Sequence, residues 1–164
     1  MSGSAEAMNM MRTRLIGLLS ASVALLADQV TKMVVVGNAS VLARGIEVFP
    51  GFDLVFFRND GVTFGMLAGF PWWGLTLLAL CICCGLFLLL LRTQSQLEAI
   101  AYGAIIGGAL GNILDRVRFR AVTDFLDFHI GDLHWPAFNL ADVFVVGGVA
   151  ILLLPPILRS NRHA

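Results

Sequence analysis

The sequence predicts an all-α membrane protein with four transmembrane helices and a few short strands outside the bilayer. Three observations carry this. The chain is 58% hydrophobic with a mean hydropathy of +0.84, whereas soluble domains are about 45–50% apolar. A chain of 164 residues cannot enclose so much hydrocarbon in one soluble core, so the excess points to a bilayer. The apolar residues fall into four runs near the roughly 20 residues that a helix needs to cross the hydrocarbon core. Between the first two runs the pattern changes to strand-like alternation.

The first span runs from Leu15 to about Val36 and carries Asp28, Gln29 and Lys32 toward its end. Arg12, Arg14 and the small residues of "SASVA" resemble a cleavable signal, but the apolar run continues through Leu25 and Leu26 to Val36. An uncleaved span is therefore expected. Residues 1–11 are polar and Met-rich and are expected to be disordered. The second span, about Trp72 to Leu91, has no charge, and Trp72 and Trp73 open it as interfacial anchors. The third, about Leu97 to Leu114, places Gly103, Gly107 and Gly111 at i, i+4, i+8, a spacing that lets helices approach closely. Gly108 and Gly111, near Asn112, are expected also to make room for a substrate. The fourth runs from about Leu140 to Leu158, with Trp135 just before it.

Segment 37–70 alternates: Phe52, Leu54 and Phe56 on one face, Asp53, Val55 and Phe57 on the other. That is a strand period, and "NDG" at 59–61 is a turn signal. Segment 115–139 reads as a second loop on the same side, rich in acids at Asp115, Asp124, Asp127 and Asp132. An even number of spans puts both termini on one side. Arg12, Arg14, Arg92, Arg159 and Arg162 fall on that side and are more densely spaced than Lys32, Arg44, Arg58, Arg116, Arg118 and Arg120 on the other. The positive-inside rule then places both termini in the cytoplasm.

Composition also excludes functions. Eleven basic and eleven acidic residues give no net charge and no basic run to track nucleic acid. Cys81, Cys83 and Cys84 form one cluster inside an apolar run, with no second group to complete a zinc site or a disulfide framework. They read as packing residues of a membrane helix. His129 and His134 lie five apart in a loop without a metal-ligand pattern and read as loop histidines. No metal or cofactor is called for.

Polar residues gather at one level, the outer ends of spans one, three and four. Asp28 and Lys32 are i, i+4 and can pair; Asn112, Asp115 and Arg116 close the third helix; Asn139 and Asp142 open the fourth. Polar groups at this depth are costly and mark function. Two carboxylates held together cannot both ionise, so one can act as base while the other acts as acid. The residue pattern alone leaves the partner of Asp142 open among Asp115, Asp124, Asp127 and Asp132. Asp115 is expected to bridge to a nearby Arg, and Asp127 and Asp132 to be solvated or capping acids. With Asn139 as N-cap, Asp142 falls at the third helical position, where backbone N–H groups and the helix dipole favour negative charge.

Five stretches, in order, resemble the motifs of bacterial lipoprotein signal peptidase (signal peptidase II): "DQVTK" at 28–32, "NDGVTFG" at 59–65, "GGALGNILDR" at 107–116, "VTDFLDF" at 122–128 and "FNLAD" at 138–142. The resemblance covers about residues 12–158. It implies an inner-membrane aspartic endopeptidase that cuts diacylglyceryl-modified prolipoproteins just before the lipidated Cys. It also implies a four-helix bundle with a small extracytoplasmic β-cradle and a short outer helix. Asp124 and Asp142 match the family's catalytic dyad. Asn59, Gly61, Gly108, Asn112, Arg116, Asn139 and Ala141 fall at substrate-holding or dyad-supporting positions, and Asp28, Lys32 and Asp115 at structural polar ones. Val62 and Thr63 depart from the two small residues common in the family, which bears on pocket shape. Gly61, Gly65 and Gly69 are expected hinges of a lid near 59–70. The implied partners are lipidated prolipoproteins and membrane lipids, for a monomeric enzyme.

Rival classes are a small transporter or proton-relay protein, with Asp28, Asn112 and Asp142 lining a path, and a membrane scaffold. Against the transporter, no second half repeats the first and no carboxylate sits at mid-membrane depth.

Overall fold

The computed structural model describes residues 2–61 and 71–160. Five helices and four strands follow in order: α1 Ser2–Gly37, α2 Ala39–Leu42, β1 Ile46–Phe49, β2 Phe52–Asn59, α3 Trp72–Arg92, α4 Gln96–Phe119, β3 Val122–Ile130, β4 Leu133–His134 and α5 Leu140–Ser160. Three helical stretches, Glu6–Gly37, Trp72–Arg92 and Gln96–Phe119, are long and apolar enough to cross a membrane; Leu140–Leu153 is a shorter apolar helix. Their outward faces carry large apolar side chains such as Leu19, Val23, Leu26, Leu77 and Phe87, as lipid contact requires.

Two helices outrun their expected bounds. α1 is helical from Ser2, where disorder was expected over residues 1–11 from their polarity. Ala, Glu and Met dominate residues 5–11 and no Pro interrupts them, so a helix nucleated by the apolar run propagates outward. α4 continues past Leu114 to Phe119, and Arg120 caps it in the left-handed conformation at φ 59°.

α4 is the central helix, packed against α1, α3 and α5. Its glycine stripe explains the closeness to α1. A Cβ at Gly103 would run into Gly17, and one at Gly107 into Ala21. With small residues on both helices the backbones meet directly, where dispersion is strongest.

The strands form one antiparallel sheet in the order β1-β2-β3-β4. The second loop is thus half of the sheet. Alternation over "VTDFLDFHI" was the available signal for β3, masked by its unusual load of acids. β2 and β3 pair Leu54 with Leu126 and Phe57 with Asp124, so β2 carries an extra residue between these pairs. Such bulges bend a strand and re-aim its side chains. Phe52, Phe128 and Phe138 stack in series, with centroids 4.6 and 5.9 Å apart. Val35, Leu42 and Phe125 form a buried cluster with Leu54, Phe56, Leu126 and Leu140 around it. This cluster fixes the sheet and α2 onto the bundle end where α1 finishes and α5 starts.

Candidate active site

The site is built from the first turn of α5. The backbone N–H of Asn139 donates to Asp142 Oδ2 at 3.1 Å, and that of Asp142 donates to Asn139 Oδ1 at 3.1 Å. This reciprocal pair is a capping box, which satisfies N–H groups that the helix leaves open. The N–H between them, on Ala141, donates to Asp28 Oδ1 of α1 at 3.0 Å. The start of α5 is therefore clamped from two sides.

Asp28, Lys32 and Asp115 are buried together. Lys32 Nζ lies 3.0 Å from Asp28 Oδ2 and 3.5 Å from Asp115 Oδ2. It also donates to Asn112 Oδ1 at 2.8 Å. Asp115 Oδ2 accepts the N–H of Thr123 at 2.8 Å, tying α4 to β3. The expected bridge from Asp115 to an arginine is therefore corrected: its ion-pair partner is Lys32, brought there by the α1–α4 approach. Removing one member of a buried pair costs about 3–5 kcal/mol, so these charges are committed to one another.

Three amides order the remaining two acids. Asn112 Nδ2 donates to Asp142 Oδ1 at 2.9 Å. Asn139 Nδ2 donates to Asp124 Oδ1 at 2.7 Å and to Asn112 Oδ1 at 3.1 Å. Asn59 Nδ2 donates to Asp124 Oδ2 at 2.9 Å, while its Oδ1 accepts the N–H of Gly61 in the "NDG" turn at 3.1 Å. Asp124 and Asp142 line one polar cavity of about 90 Å³ with Asn59, Gly61, Asn112, Arg116 and Val122. Arg116 Nη2 donates to Gly61 O at 3.2 Å. Burial pushes the Asp124 carboxyl up to about 6; the amides of Asn59 and Asn139 pull the other way, and the charge of Asp142 adds to the rise. It is a carboxyl that keeps its proton to higher pH than an ordinary aspartate, beside a cavity with room for water.

The geometry separates the competing acids. Asp115 is used by Lys32 and Thr123. Asp127 is in β3 rather than a loop, with His134 Nδ1 2.9 Å from its Oδ2. Asp132 is exposed in the turn after β3. Asp124, also in β3, is the acid that shares the polar cavity with Asp142. His129 and His134 stack on each other beside Asp53 and Asp127, among the outer strands. Among the described residues no group of three or more acid, His or Cys side chains could hold a metal.

Gly108 and Gly111 do not make room for a substrate: a Cβ at Gly108 would meet Ala141 O at 2.5 Å, and one at Gly111 would run into the Asp28 carboxylate. Their space belongs to α5 and α1. Ala141 is fully buried and acts through its N–H and its small size. Positions 62–70, with the Val62–Thr63 departure and the hinges Gly65 and Gly69, lie outside the described residues.

One feature of the site escaped the sequence. Beside Asp142 an apolar groove of about 590 Å³ is lined by Trp135, Phe138, Val143, Val145, Val146 and Gly147. Its residues straddle the loop–helix junction, so no single periodicity marks them; Phe138, one helical turn before Asp142, was the only hint.

The model of the family described as signal peptidase (SPase) II matches residues 20–158. The chain is 44% identical over 140 residues to the lipoprotein signal peptidase of Aeromonas hydrophila subsp. hydrophila, covering 82% of this chain and 83% of that one. It is 40% identical over 148 residues to that of Serratia proteamaculans, covering 87% of each. Its fold is similar to a bacterial membrane enzyme solved by the in meso method at 2.3 Å resolution. The TM-score is 0.79 at 26% identity, over 90% of this chain and 91% of that one.

Proposed function

The chain belongs to the signal peptidase II family, and from that premise we propose that Asp124 and Asp142 are the acid–base pair of its peptide hydrolysis. As a member it is an aspartic-type membrane endopeptidase that removes signal peptides from prolipoproteins. The observation that carries the dyad is the shared cavity of about 90 Å³, with Asn139 linked to both carboxylates.

In this reading the pair holds one proton. Asp142, at the start of α5, is the ionised partner that takes a proton from a cavity water as that water attacks the scissile carbonyl carbon. Asp124, raised toward protonation by burial, donates its proton to the carbonyl oxygen. The tetrahedral diol collapses as a proton passes to the leaving amine and the C–N bond breaks. Arg116 and the Asn59–Gly61 turn border the cavity, where they can hold peptide backbone. The groove of Trp135, Phe138 and Val146 opens beside Asp142 and suits the acyl chains of a diacylglyceryl-modified Cys. Cleavage would fall just before that residue.

In this reading α5 serves as the fourth span, the site lies at the extracytoplasmic face of the inner membrane, both termini lie in the cytoplasm, and the enzyme is a monomer.

The test is to mix purified protein with a diacylated prolipoprotein and with the same chain unlipidated, and to follow size by electrophoresis. A shift of the lipidated form alone is expected. Cleavage of neither would return the chain to the relay or scaffold class.

A further inference from the structure

We propose that Lys32 is a positioning residue for the acid–base pair, acting through Asn112: its ammonium sets which way that amide points and so delivers an N–H to Asp142. The inference rests on the dyad reading. An ammonium has three N–H donors and no acceptor. Three oxygens surround Nζ: Asn112 Oδ1 at 2.8 Å, Asp28 Oδ2 at 3.0 Å and Asp115 Oδ2 at 3.5 Å. Lys32 can therefore face only the carbonyl end of Asn112, and the NH₂ end must point the other way, at Asp142 Oδ1, 2.9 Å distant.

The effect continues one step further. The same Asn112 oxygen accepts from Asn139 Nδ2 at 3.1 Å, and the second hydrogen of that NH₂ goes to Asp124 Oδ1 at 2.7 Å. One cation thus orders two amides, each presenting N–H to a different carboxylate. With the ammonium gone, Asn112 is free to turn its oxygen toward Asp142, where two acceptors repel.

Asp28 and Asp115 anchor the ammonium from α1 and α4, and the turn of "DQVTK" on α1 aims it inward. The other charged groups near the pair are Arg116 on α4, which lines the cavity, and Arg58 on β2, which donates to Thr123 Oγ1 at 2.7 Å. Neither touches Asn112 among the hydrogen bonds of the described residues.

The test uses the full-length enzyme in detergent with a diacylated prolipoprotein, across a pH series. Lys32→Met keeps the stem and removes the charge. Because Asp28 and Asp115 would then stay buried without their cation, a second variant, Lys32→Met with Asp28→Asn, removes the closer of the two pairs and keeps an oxygen for the N–H of Ala141. In a folded variant kcat should fall about 10- to 100-fold, the range for a lost hydrogen bond to a charged group, with KM within about twofold. The basic limb of the kcat profile should move up by about one pH unit, because a carboxylate without its donor and nearby cation keeps the shared proton longer. An unmoved limb in either folded variant overturns the proposal, even if kcat falls, since a merely structural lysine would lower activity without moving it. Wild-type enzyme that fails to cleave the substrate would overturn the dyad reading instead, which separates the two failures.

Discussion

Asn139 and Asp142 exchange two hydrogen bonds of 3.1 Å, each backbone N–H donating to the other's side chain. The pair starts α5 and at the same time fixes a carboxylate at the rim of the polar cavity. A residue that serves as a helix cap thereby also lines the cavity it shares with Asp124.

Replacing either acid of the proposed dyad should remove the chemistry and keep the fold. Asp142→Asn and Asp124→Asn are each expected to slow cleavage of a lipidated prolipoprotein by about a thousandfold or more. Both should still bind it, because the amide preserves shape and one acceptor. The size-shift assay and a binding measurement on the same preparations check this. Full activity of purified Asp142→Asn would sink the assignment, and total loss in a well-folded Asp115→Asn would reopen the choice of partner.

Asn139 combines two duties that substitution can divide. Asn139→Ala loses the cap and should cost about 1 kcal/mol of stability. Asn139→Ser restores an oxygen for the N–H of Asp142 but cannot reach Asp124 with an N–H as the longer amide does. Melting temperature should therefore recover in the serine variant while kcat stays about 10- to 100-fold down. Parallel recovery of both would mean that Asn139 acts only as a cap.

The carboxyl of Asp124, pushed up to about 6 from its ordinary 3.8, sets a pH dependence of activity. In free enzyme the pair loses its shared proton as pH rises through that value, so kcat/KM should fall above it. Bound substrate displaces water and favours the protonated form, so the basic limb of kcat should lie at higher pH than that of kcat/KM. Coincident limbs would contradict this.

The same shift has a stability consequence of definite sign. A carboxyl raised in the fold binds its proton more tightly there than in the unfolded chain, so its contribution is largest at low pH and is lost as pH rises through about 6. Two units correspond to about 3 kcal/mol at most. Asp124→Asn removes this dependence. The melting temperature of the variant relative to wild type should rise between acid and mildly alkaline buffer; a difference independent of pH would refute the buried-carboxyl account.

Gly111→Ala should destabilise by about 1–3 kcal/mol, since its Cβ would run into the Asp28 carboxylate. Gly85→Ala on α3 is the control, because nothing lies within 4 Å of a Cβ there. Thermal melts of the two variants in one detergent should separate them; equal melting temperatures would show that α1 and α4 can part without loss.

The apolar runs of α1, α3 and α4 were legible in the chain because a bilayer leaves no alternative to long apolar helices. So were the start of α5 at Leu140, the cap at Asn139, the Asp28–Lys32 pair and the close approach at Gly103 and Gly107, since each depends on contacts within a helix turn or on a repeat along one helix. The partner of Asp142 was not. Asp115, Asp124, Asp127 and Asp132 are alike as residues, and only the bulged pairing of β2 with β3 and the seating of that sheet on the bundle end gave them different neighbours. Lys32 claimed Asp115, His134 claimed Asp127, and solvent kept Asp132. Resemblance to a family pointed to Asp124, but local sequence could not, because the distance between two side chains far apart in the chain is set by packing. The same holds for Gly108, whose space α5 fills, and for the groove beside Asp142, which exists only where a loop and a helix meet.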